Sequence, residues 1–167
     1  MSSWLRRLYY KWFKNTKIYC YCNIYKTAKV GRNCIIGGFS EIGDKVEVGN
    51  ACKLGAYVFL PKGVTIGNEV FIGPRVTFTN DYYPKATGEW QLRETIIKDG
   101  ASIGAGSVIR CGVTIGKNAG VGAGSVVLKD IPDGEVWAGN PARKIESKWK
   151  KGIYASGFGD KEQEAAG

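Results

Sequence analysis

The chain has 167 residues, enough for one ordinary domain, and a formal net charge of +9. Residues 1–32 carry eight of these positive charges and no acid, so the basic character marks one end of the chain as a patch for anionic partners and is not a property of the fold. The chain has no histidine, so we expect no histidine-bound metal, and no apolar run approaches the ~20 residues of a membrane span.

The charge distribution and the cysteine count also narrow the partners and the compartment. We expect no nucleic-acid partner, because the positive charge lies in one tail and no motif that reads a nucleic acid accompanies it. Five cysteines, an odd number, favour reduced thiols. Charges and tyrosines interrupt any apolar stretch that could act as a signal peptide, so the sequence predicts a cytoplasmic protein.

Residues 1–21 form a basic segment in which residues 3–14 have the pattern of an amphipathic helix. Large apolar side chains recur at helical spacing, and Arg and Lys take the opposite side. The apolar stripe either covers an open end of the domain that follows, or contacts another subunit, or lies on an anionic membrane surface as a peripheral contact.

From residue 22 onwards, large apolar residues recur at every sixth position. A helix cannot use a period of six, since its faces recur near 3.6 residues, but two-residue strand alternation with a corner every six residues can. Glycine follows most of these positions, and the residue two before each is small or β-branched. The pattern predicts a β-helix with three short strands per turn. The repeating positions are Ile24, Val30, Ile36, Ile42, Val48, Leu54, Leu60, Ile66, Ile72, Phe78, Ile97, Ile103, Ile109, Ile115, Val121 and Val127.

The repeat is interrupted once, because the step from Phe78 to Ile97 is about three times as long as one repeat. A repeat array excludes insertions from its core and places them on a surface, often the binding surface. The inserted segment therefore predicts a protruding loop at 80–94, polar and aromatic in composition, as the functional region. The sixteen repeats make just over five coils, a prism about 25 Å tall.

Two cysteines, Cys34 and Cys52, occupy inward positions that are three repeats apart, which is one full coil. We expect them to stack, either as small core fillers or near disulfide distance. Beyond residue 128, Pro and Gly mark a turn that ends the repeats. The β-helix domain is therefore assigned to residues 22–145, with a short helix at about 143–151 and a tail within 146–167.

Three motifs together resemble the hexapeptide-repeat acyltransferases. They are the six-residue repeats, the segment VGAGSVV at 121–127 followed by KDIP at 129–132, and the ending AGNPAR at 138–143. The resemblance covers residues 22–145. It implies an all-β, left-handed parallel β-helix and a homotrimer. It also implies acetyl-CoA as co-substrate in a groove between adjacent subunits, with an active site at each interface.

Within the family, the segment FTNDYYPKA at 78–86 is similar to the branch that N-acetylates amino groups of nucleotide-linked amino sugars. In many O-acetyltransferases of the family a catalytic histidine stands where Asp81 stands here. A sugar hydroxyl is a poor nucleophile until a base removes its proton, and such help contributes ~10²–10⁴-fold. An amine is already partly in its free-base form near neutral pH, so it needs only positioning and an acceptor for its proton.

The resemblance and this chemistry predict Asn80 and Asp81 as the catalytic residues. The amide oxygen of Asn80 would accept a hydrogen bond from the incoming amine, and Asp81 would orient the amine or take a proton through water. The alternative is that both residues serve ordinary turn chemistry after a strand.

Resemblance to the galactoside acetyltransferases of the family implies that CoA contacts Ala105, Ala123, Leu128, Lys129 and Arg143. Small corner residues permit close approach of the pantetheine amides to the backbone, and the two cations would meet the CoA phosphates. The alternatives are simple tight corners for the alanines and a solvated surface for Lys129 and Arg143.

The loop supplies the candidate substrate-binding residues Tyr82, Tyr83, Lys85 and Arg93, which could stack a base and hold a diphosphate. The alternative is a loop that packs on the neighbouring subunit through its aromatic residues. The sequence as a whole predicts an acetyl-CoA-dependent N-acetyltransferase that acts on an amino sugar carried on dTDP or UDP, for surface polysaccharide or glycan biosynthesis. A sugar or polysaccharide O-acetyltransferase and a non-catalytic β-helix scaffold are the alternatives.

Overall fold

The structure, a computed structural model, describes residues 14–146. The helix predicted at 3–14, apart from Lys14, and the region after Glu146 lie outside these residues. The part of the chain that is described holds no helix that is both long and apolar enough to cross a membrane.

Short parallel strands alternate with tight corners and wrap into a three-sided β-solenoid, consistent with the left-handed parallel β-helix that the resemblance implies. Sheet 1 contains β1, β4, β7, β10, β13, β16, β18 and β19, sheet 2 contains β2, β5, β8, β11, β14 and β17, and sheet 3 contains β3, β6, β9, β12 and β15. The strands are β1 (Lys17–Ile18), β2 (Asn23–Ile24), β3 (Lys29–Val30), β4 (Ile35–Ile36), β5 (Glu41–Ile42), β6 (Glu47–Val48), β7 (Lys53–Leu54), β8 (Phe59–Leu60), β9 (Val64–Ile66), β10 (Phe71–Ile72), β11 (Thr77–Phe78), β12 (Thr95–Ile97), β13 (Ser102–Ile103), β14 (Val108–Ile109), β15 (Thr114–Ile115), β16 (Gly120–Val121), β17 (Val126–Val127), β18 (Val136–Gly139) and β19 (Ala142–Lys144).

The repeating apolar positions form the core, as the period of six predicts. Phe71 on β10 pairs with Lys53 on β7, its counterpart three repeats earlier, so equivalent positions of successive coils lie directly above one another. From Val30 to Val127 every repeating position is at most 4% exposed. Because full burial of one such side chain is worth about 1.5–3 kcal/mol, this internal column is the main stabilising feature of the solenoid.

Glycine follows the strands because consecutive coils nearly touch at the corners. A Cβ atom on Gly55 would collide with the backbone of Pro74 in the next coil. Two residues later Tyr57 has a left-handed φ of 60°, and Asn118 has a φ of 53° in another corner. The close contact therefore requires glycine, whereas the left-handed position of the corner accepts larger residues.

The single interruption lies where the sequence predicts it. Thr95 on β12 pairs with Val64 on β9, although the segment between them is much longer than one coil, so the excess leaves the solenoid between β11 and β12. A backbone bridge between Asp81 and Leu92 closes the base of this loop. The loop emerges at the corner that leads from sheet 2 to sheet 3, which fixes the position of its residues relative to the strands.

The solenoid begins before the predicted residue 22 and continues beyond the last regular repeat, within the predicted limit of residue 145. Before residue 22, β1 adds a strand, with Ile18 packed on the core and Thr16 buried beside it. After residue 128, Ile131 pairs with Ile115 and β18 continues sheet 1. The prediction of just over five coils was too low, since sheet 1 alone stacks seven parallel strands, β1 to β18.

The short helix predicted at 143–151 is wrong where the structure describes it. Ala142–Lys144 form β19, which pairs antiparallel with β18, with Trp137 opposite Lys144. The hairpin covers the otherwise unpaired edge of β18, so pairing rather than helix formation satisfies its backbone groups. The rest of the predicted helix, from residue 147, lies outside the described residues.

Candidate active site

The predicted site residues border one face of the solenoid, which is sheet 2. Ala105 and Ala123 lie in the corners that lead from sheet 1 into β14 and β17. Asn80 and Leu128 lie just after the ends of β11 and β17, at the corners that lead out of sheet 2. A column of outward side chains separates these two edges. It consists of Thr77, Val108 and Val126.

Coil stacking brings the exits of β11, β14 and β17 into line. The Thr79 N–H donates to the last carbonyl of β14 at 2.9 Å, and the Arg110 N–H donates to the last carbonyl of β17 at 3.0 Å. Thr79, Arg110 and Leu128 therefore occupy one position on three successive coils, and Asn80 and Lys129 occupy the next position on the outer two. The backbones of Asn80 and Lys129 are two coils apart, which is roughly 10 Å.

Asn80 and Asp81 are half-buried at the start of the loop. The Asp81 Oδ1 atom accepts a hydrogen bond from the Tyr83 backbone N–H at 3.2 Å, so the turn chemistry proposed as the alternative is present. It uses only one carboxylate oxygen. Among residues 14–146, no partner hydrogen-bonds to Asp81 Oδ2 or to the Asn80 side chain, and both groups are available to a ligand.

A cationic and aromatic cluster lies beside these residues. The guanidinium carbon of Arg93 is 3.7 Å from the centroid of the Tyr82 ring, and that of Arg110 is 5.0 Å from it. The Tyr83 ring meets Tyr82 edge-on with centroids 4.7 Å apart. The structure therefore brings three of the predicted substrate-binding residues together and adds a fourth member, Arg110.

The sequence analysis missed Arg110, although one signal could have found it. Arg110 directly follows the repeating residue Ile109, at the position that glycine or proline takes in most earlier coils. A long cationic side chain at that position must leave the corner outward, toward whatever lies over sheet 2. Its contact with Tyr82 depends on the path of the loop, which the repeat does not encode.

Lys85 lies apart from this cluster, on the outer part of the loop. With Tyr83 it borders an open depression of about 450 Å³. The other lining residues are Thr87, Gly88, Glu89 and Gln91. Among the candidate residues, Lys85 shares this depression with Tyr83.

The residues predicted to contact CoA are exposed along the two edges of sheet 2. Ala105 and Ala123 face solvent, and Leu128 is 37% exposed. Lys129 extends the loop edge and makes no ion pair with any residue of the described range. Arg143 lies on β19 opposite Ala138 of β18, and Ala138 stacks on Gly122, the residue before Ala123, so Arg143 lies near the alanine edge. The two cations thus stand at opposite edges of the same face.

The residues that are described, 14–146, include no group of three or more His, Cys, Asp or Glu side chains arranged to hold a metal ion.

Comparison with known protein families identifies the repeats. The bacterial transferase hexapeptide model of six repeats matches residues 45–80 and 94–129. The model of the hexapeptide repeat of succinyl-transferase matches residues 27–61. Together they cover more than half of the chain, and the gap between the two matched ranges of the first model coincides with the loop.

Individual relatives match over shorter stretches. The chain is 65% identical over 49 residues to dTDP-3-amino-3,6-dideoxy-alpha-D-galactopyranose 3-N-acetyltransferase from Aneurinibacillus thermoaerophilus, which is 29% of this chain and 26% of that protein. It is 45% identical over 60 residues to the putative acetyltransferase YvoF of Bacillus subtilis, or 36% of this chain and 35% of that protein. The matches therefore span about a quarter to a third of these relatives.

Solved structures match over most of the fold. AntD, an N-acyltransferase from Bacillus cereus crystallised with dTDP and 3-hydroxybutyryl-CoA, has a TM-score of 0.74 and 26% identity, with 85% of this chain and 84% of that chain covered. PerB from Caulobacter crescentus, in complex with CoA and GDP-perosamine, has a TM-score of 0.69 at 21% identity, over 78% of this chain and 57% of that chain. The PerB match supports the fold alone.

Proposed function

The chain belongs to the hexapeptide-repeat transferase family, and on this premise we propose that it is an acetyl-CoA-dependent N-acetyltransferase acting on the amino group of a dTDP- or UDP-linked amino sugar. The observation that carries the proposal is the position of Asn80. It follows β11 at the edge of sheet 2 with its side chain free of partners within the described residues, in a chain without histidine. Of the similar proteins named above, the Aneurinibacillus thermoaerophilus relative is an N-acetyltransferase of a dTDP-linked amino sugar, and AntD was crystallised with dTDP.

Sheet 2 supports CoA binding along its outer surface. The small residues Ala105 and Ala123 leave backbone groups open to the pantetheine amides, and Val108, 36% exposed, offers an apolar surface between the edges. Lys129 and Arg143 lie toward the C-terminal end of the face, where they would bind the CoA phosphates. Leu128 would contact the arm on the loop side.

A homotrimer would complete this groove, since one exposed face does not enclose a long cofactor. The outward side chains of sheet 2 and the aromatic residues of the loop are the surfaces available to a neighbouring copy. We also place the reaction in the cytoplasm, where the five cysteines would remain reduced.

The residues at the loop base support a direct attack of the amine on the thioester. The amine nitrogen adds to the acyl carbon of acetyl-CoA, the carbon–sulfur bond then breaks, and CoA leaves as its thiolate. Asn80 accepts a hydrogen bond from the amine and so aims its lone pair at the acyl carbon. Asp81 takes the displaced proton through water with the carboxylate oxygen that Tyr83 does not use, and the proton passes to the CoA thiolate.

Tyr82, Tyr83, Lys85 and Arg93 would hold the nucleotide part of the acceptor. Tyr82 and Arg93 are already in contact, and Tyr83 extends the aromatic surface toward Lys85. The sugar would then lie between this cluster and Asn80.

A thiol-release assay tests the proposal. Acetyl-CoA is combined with a panel of dTDP- and UDP-linked 3-amino and 4-amino sugars and with matched hydroxyl sugars. We expect CoA release with an amino sugar and none with its hydroxyl counterpart. Release with hydroxyl acceptors alone would establish O-acetylation instead, and failure to bind CoA at millimolar concentration would establish a non-catalytic scaffold.

A further inference from the structure

We propose that Arg93 and Arg110, which both approach the ring of Tyr82, form a diphosphate-binding subsite for the nucleotide-linked acceptor. The inference rests on the proposed function for the identity of the ligand, and on the geometry of the loop base for the existence of the site. Arg110 is the decisive member, because it comes from the solenoid and not from the loop.

The two guanidinium groups are concentrated without compensating acid. Both lie within 5.0 Å of the centre of one tyrosine ring, at 3.7 Å for Arg93 and 5.0 Å for Arg110. The ion pairs found within residues 14–146 all involve lysine and lie elsewhere, so neither Asp81 nor Glu94 at the two ends of the loop pairs with an arginine. Such a local excess of positive charge favours an anionic ligand.

Arg110 also carries an unsatisfied donor. Its Nε–H is buried and has no hydrogen-bond partner, and it is the single side-chain nitrogen or oxygen in this condition within the described residues. Contact with the Tyr82 ring does not replace a hydrogen-bond acceptor for this donor. A buried donor without an acceptor loses its hydrogen bonds to water and gains none in return, so such groups are rare in folded proteins and often mark a ligand site. A phosphate oxygen bound beside Tyr82 would supply the missing acceptor.

The location selects the acceptor over CoA as the source of the diphosphate. Arg110 lies one coil from Thr79, and Asn80, where the amine reacts, is the next residue. In a nucleotide-linked amino sugar, a single pyranose ring separates the amine from the diphosphate. In acetyl-CoA the whole pantetheine arm separates the thioester from the diphosphate, which therefore falls farther along sheet 2, toward Lys129 and Arg143.

The planar guanidinium is suited to this ligand. Arginine binds phosphate oxygens through two parallel N–H donors, whereas lysine offers a point charge. Stacking on Tyr82 fixes the plane of Arg93 before the ligand arrives, which reduces the side-chain entropy lost on binding.

The test measures binding of dTDP and of inorganic pyrophosphate by titration calorimetry, which requires no turnover. Wild type is compared with Arg110→Gln, Arg93→Gln and Arg110→Lys. Arg75→Gln is the matched control, since the Arg75 guanidinium lies 6.0 Å from the Tyr57 ring, in the corner between β10 and β11 at the opposite edge of sheet 2 from the loop. We expect each glutamine variant to weaken dTDP binding about 10- to 100-fold, Arg110→Lys to weaken it less, and the control to bind as wild type does.

Three results would overturn the inference. The first is a dTDP affinity that stays unchanged in both Arg110→Gln and Arg93→Gln. The second is a wild-type protein that binds neither dTDP nor pyrophosphate, and the third is a set of variants that lose affinity for CoA but not for dTDP. If Arg110→Gln does not fold, Arg93→Gln and Arg110→Lys provide the same comparison. The thiol-release assay distinguishes the two proposals. If wild type acetylates an amino sugar but the arginine variants bind dTDP as wild type does, only the proposed subsite is contradicted. If dTDP binding depends on the arginines but wild type acetylates no amino sugar, only the proposed reaction is contradicted.

Discussion

The Thr79 hydroxyl accepts a hydrogen bond from the backbone N–H of Cys111, on the adjoining coil, at 2.9 Å. Thr79 is the last residue before the chain departs from the solenoid at Asn80, so this bond anchors the point from which the loop begins. Cys111 is buried, and its N–H has no access to water if the hydroxyl is removed. The contact therefore links the stability of the second half of the solenoid to the geometry of the candidate active site.

Replacing Thr79 by valine should destabilise the protein by about 1–3 kcal/mol, because the substitution keeps the shape of the side chain but leaves a buried N–H without an acceptor. Urea unfolding of both proteins measures the difference. Thr79→Ser retains the hydroxyl and should lose only the contribution of one methyl group, about 0.8 kcal/mol. Equal stabilities for the valine and serine variants would show that the hydrogen bond contributes nothing.

Asn80→Ala should lower kcat with the amino-sugar acceptor by about 10- to 100-fold, because the hydrogen bond to the nitrogen strengthens as positive charge develops during attack on the thioester. The affinity for CoA should not change, since Asn80 lies at the reacting end of the groove. Steady-state kinetics and CoA titration measure the two quantities. Thr65→Ala, at an exposed position on β9 in sheet 3, is the control. A higher KM for the acceptor with an unchanged kcat would mean that Asn80 binds the acceptor but does not stabilise the transition state.

Gly55→Ala should destabilise the solenoid by about 1–3 kcal/mol or more, because the added Cβ would meet the backbone of Pro74 in the next coil. Gly106→Asn is the matched control. Gly106 has a φ of 68° with no atom within 4 Å of the position that a Cβ would take, and Asn118 already adopts this conformation in another corner. For the control we expect the free energy of unfolding to change by no more than about 0.5 kcal/mol. Thermal unfolding checks both, and a similar loss for the two variants would contradict the close-contact explanation.

The sequence was sufficient to predict the core, because a period of six places each repeating side chain inward whatever surrounds it. It was insufficient at the ends. Tyr19 stands where the repeat has glycine, which hid the strand β1, although Thr16 and Ile18 fill the usual inward positions. At the other end, Ile131 pairs with Ile115 although the segment between them is shorter than one regular coil, so the fixed period no longer applies.

The candidate site was also predictable from the sequence only in part. The edges of sheet 2 follow from the repeat, so the relative positions of Asn80, Ala105 and Leu128 could be predicted from their places in it. The contact of Tyr82 with Arg110 could not, because residues distant in sequence meet there only through the path of the loop. The assignment of these residues to catalysis and binding stays a prediction that the variants described here test.

Cys34 and Cys52 provide a test of coil stacking. Both are buried on successive coils, and the interaction between the two thiols lowers the pKa of Cys34 and, together with burial, raises the pKa of Cys52. In Cys52→Ala the pKa of Cys34 should therefore rise, as followed by the ultraviolet absorbance of the thiolate. Cys111→Ala should leave the Cys34 titration unchanged. Identical titrations in wild type and Cys52→Ala would contradict the thiol contact.

The carboxylate of Glu135 accepts hydrogen bonds from both strands of the terminal hairpin, β18 and β19. Lys144 Nζ donates to its Oε1 at 2.6 Å and Trp137 Nε1 donates to its Oε2 at 2.8 Å, and these bonds, that from Lys144 foremost, lower the pKa of Glu135. A carboxyl whose pKa is lower in the folded state adds stability above its unfolded pKa of about 4.3 and loses it as the pH falls through the folded value. Glu135→Gln should therefore be less stable than wild type near pH 7, with the gap closing below about pH 4. Urea unfolding midpoints of wild type and Glu135→Gln, measured across this pH range, test the expected pH dependence, and Glu146→Gln is the control. A stability difference between wild type and Glu135→Gln that does not change with pH would show that it does not arise from the charge of Glu135.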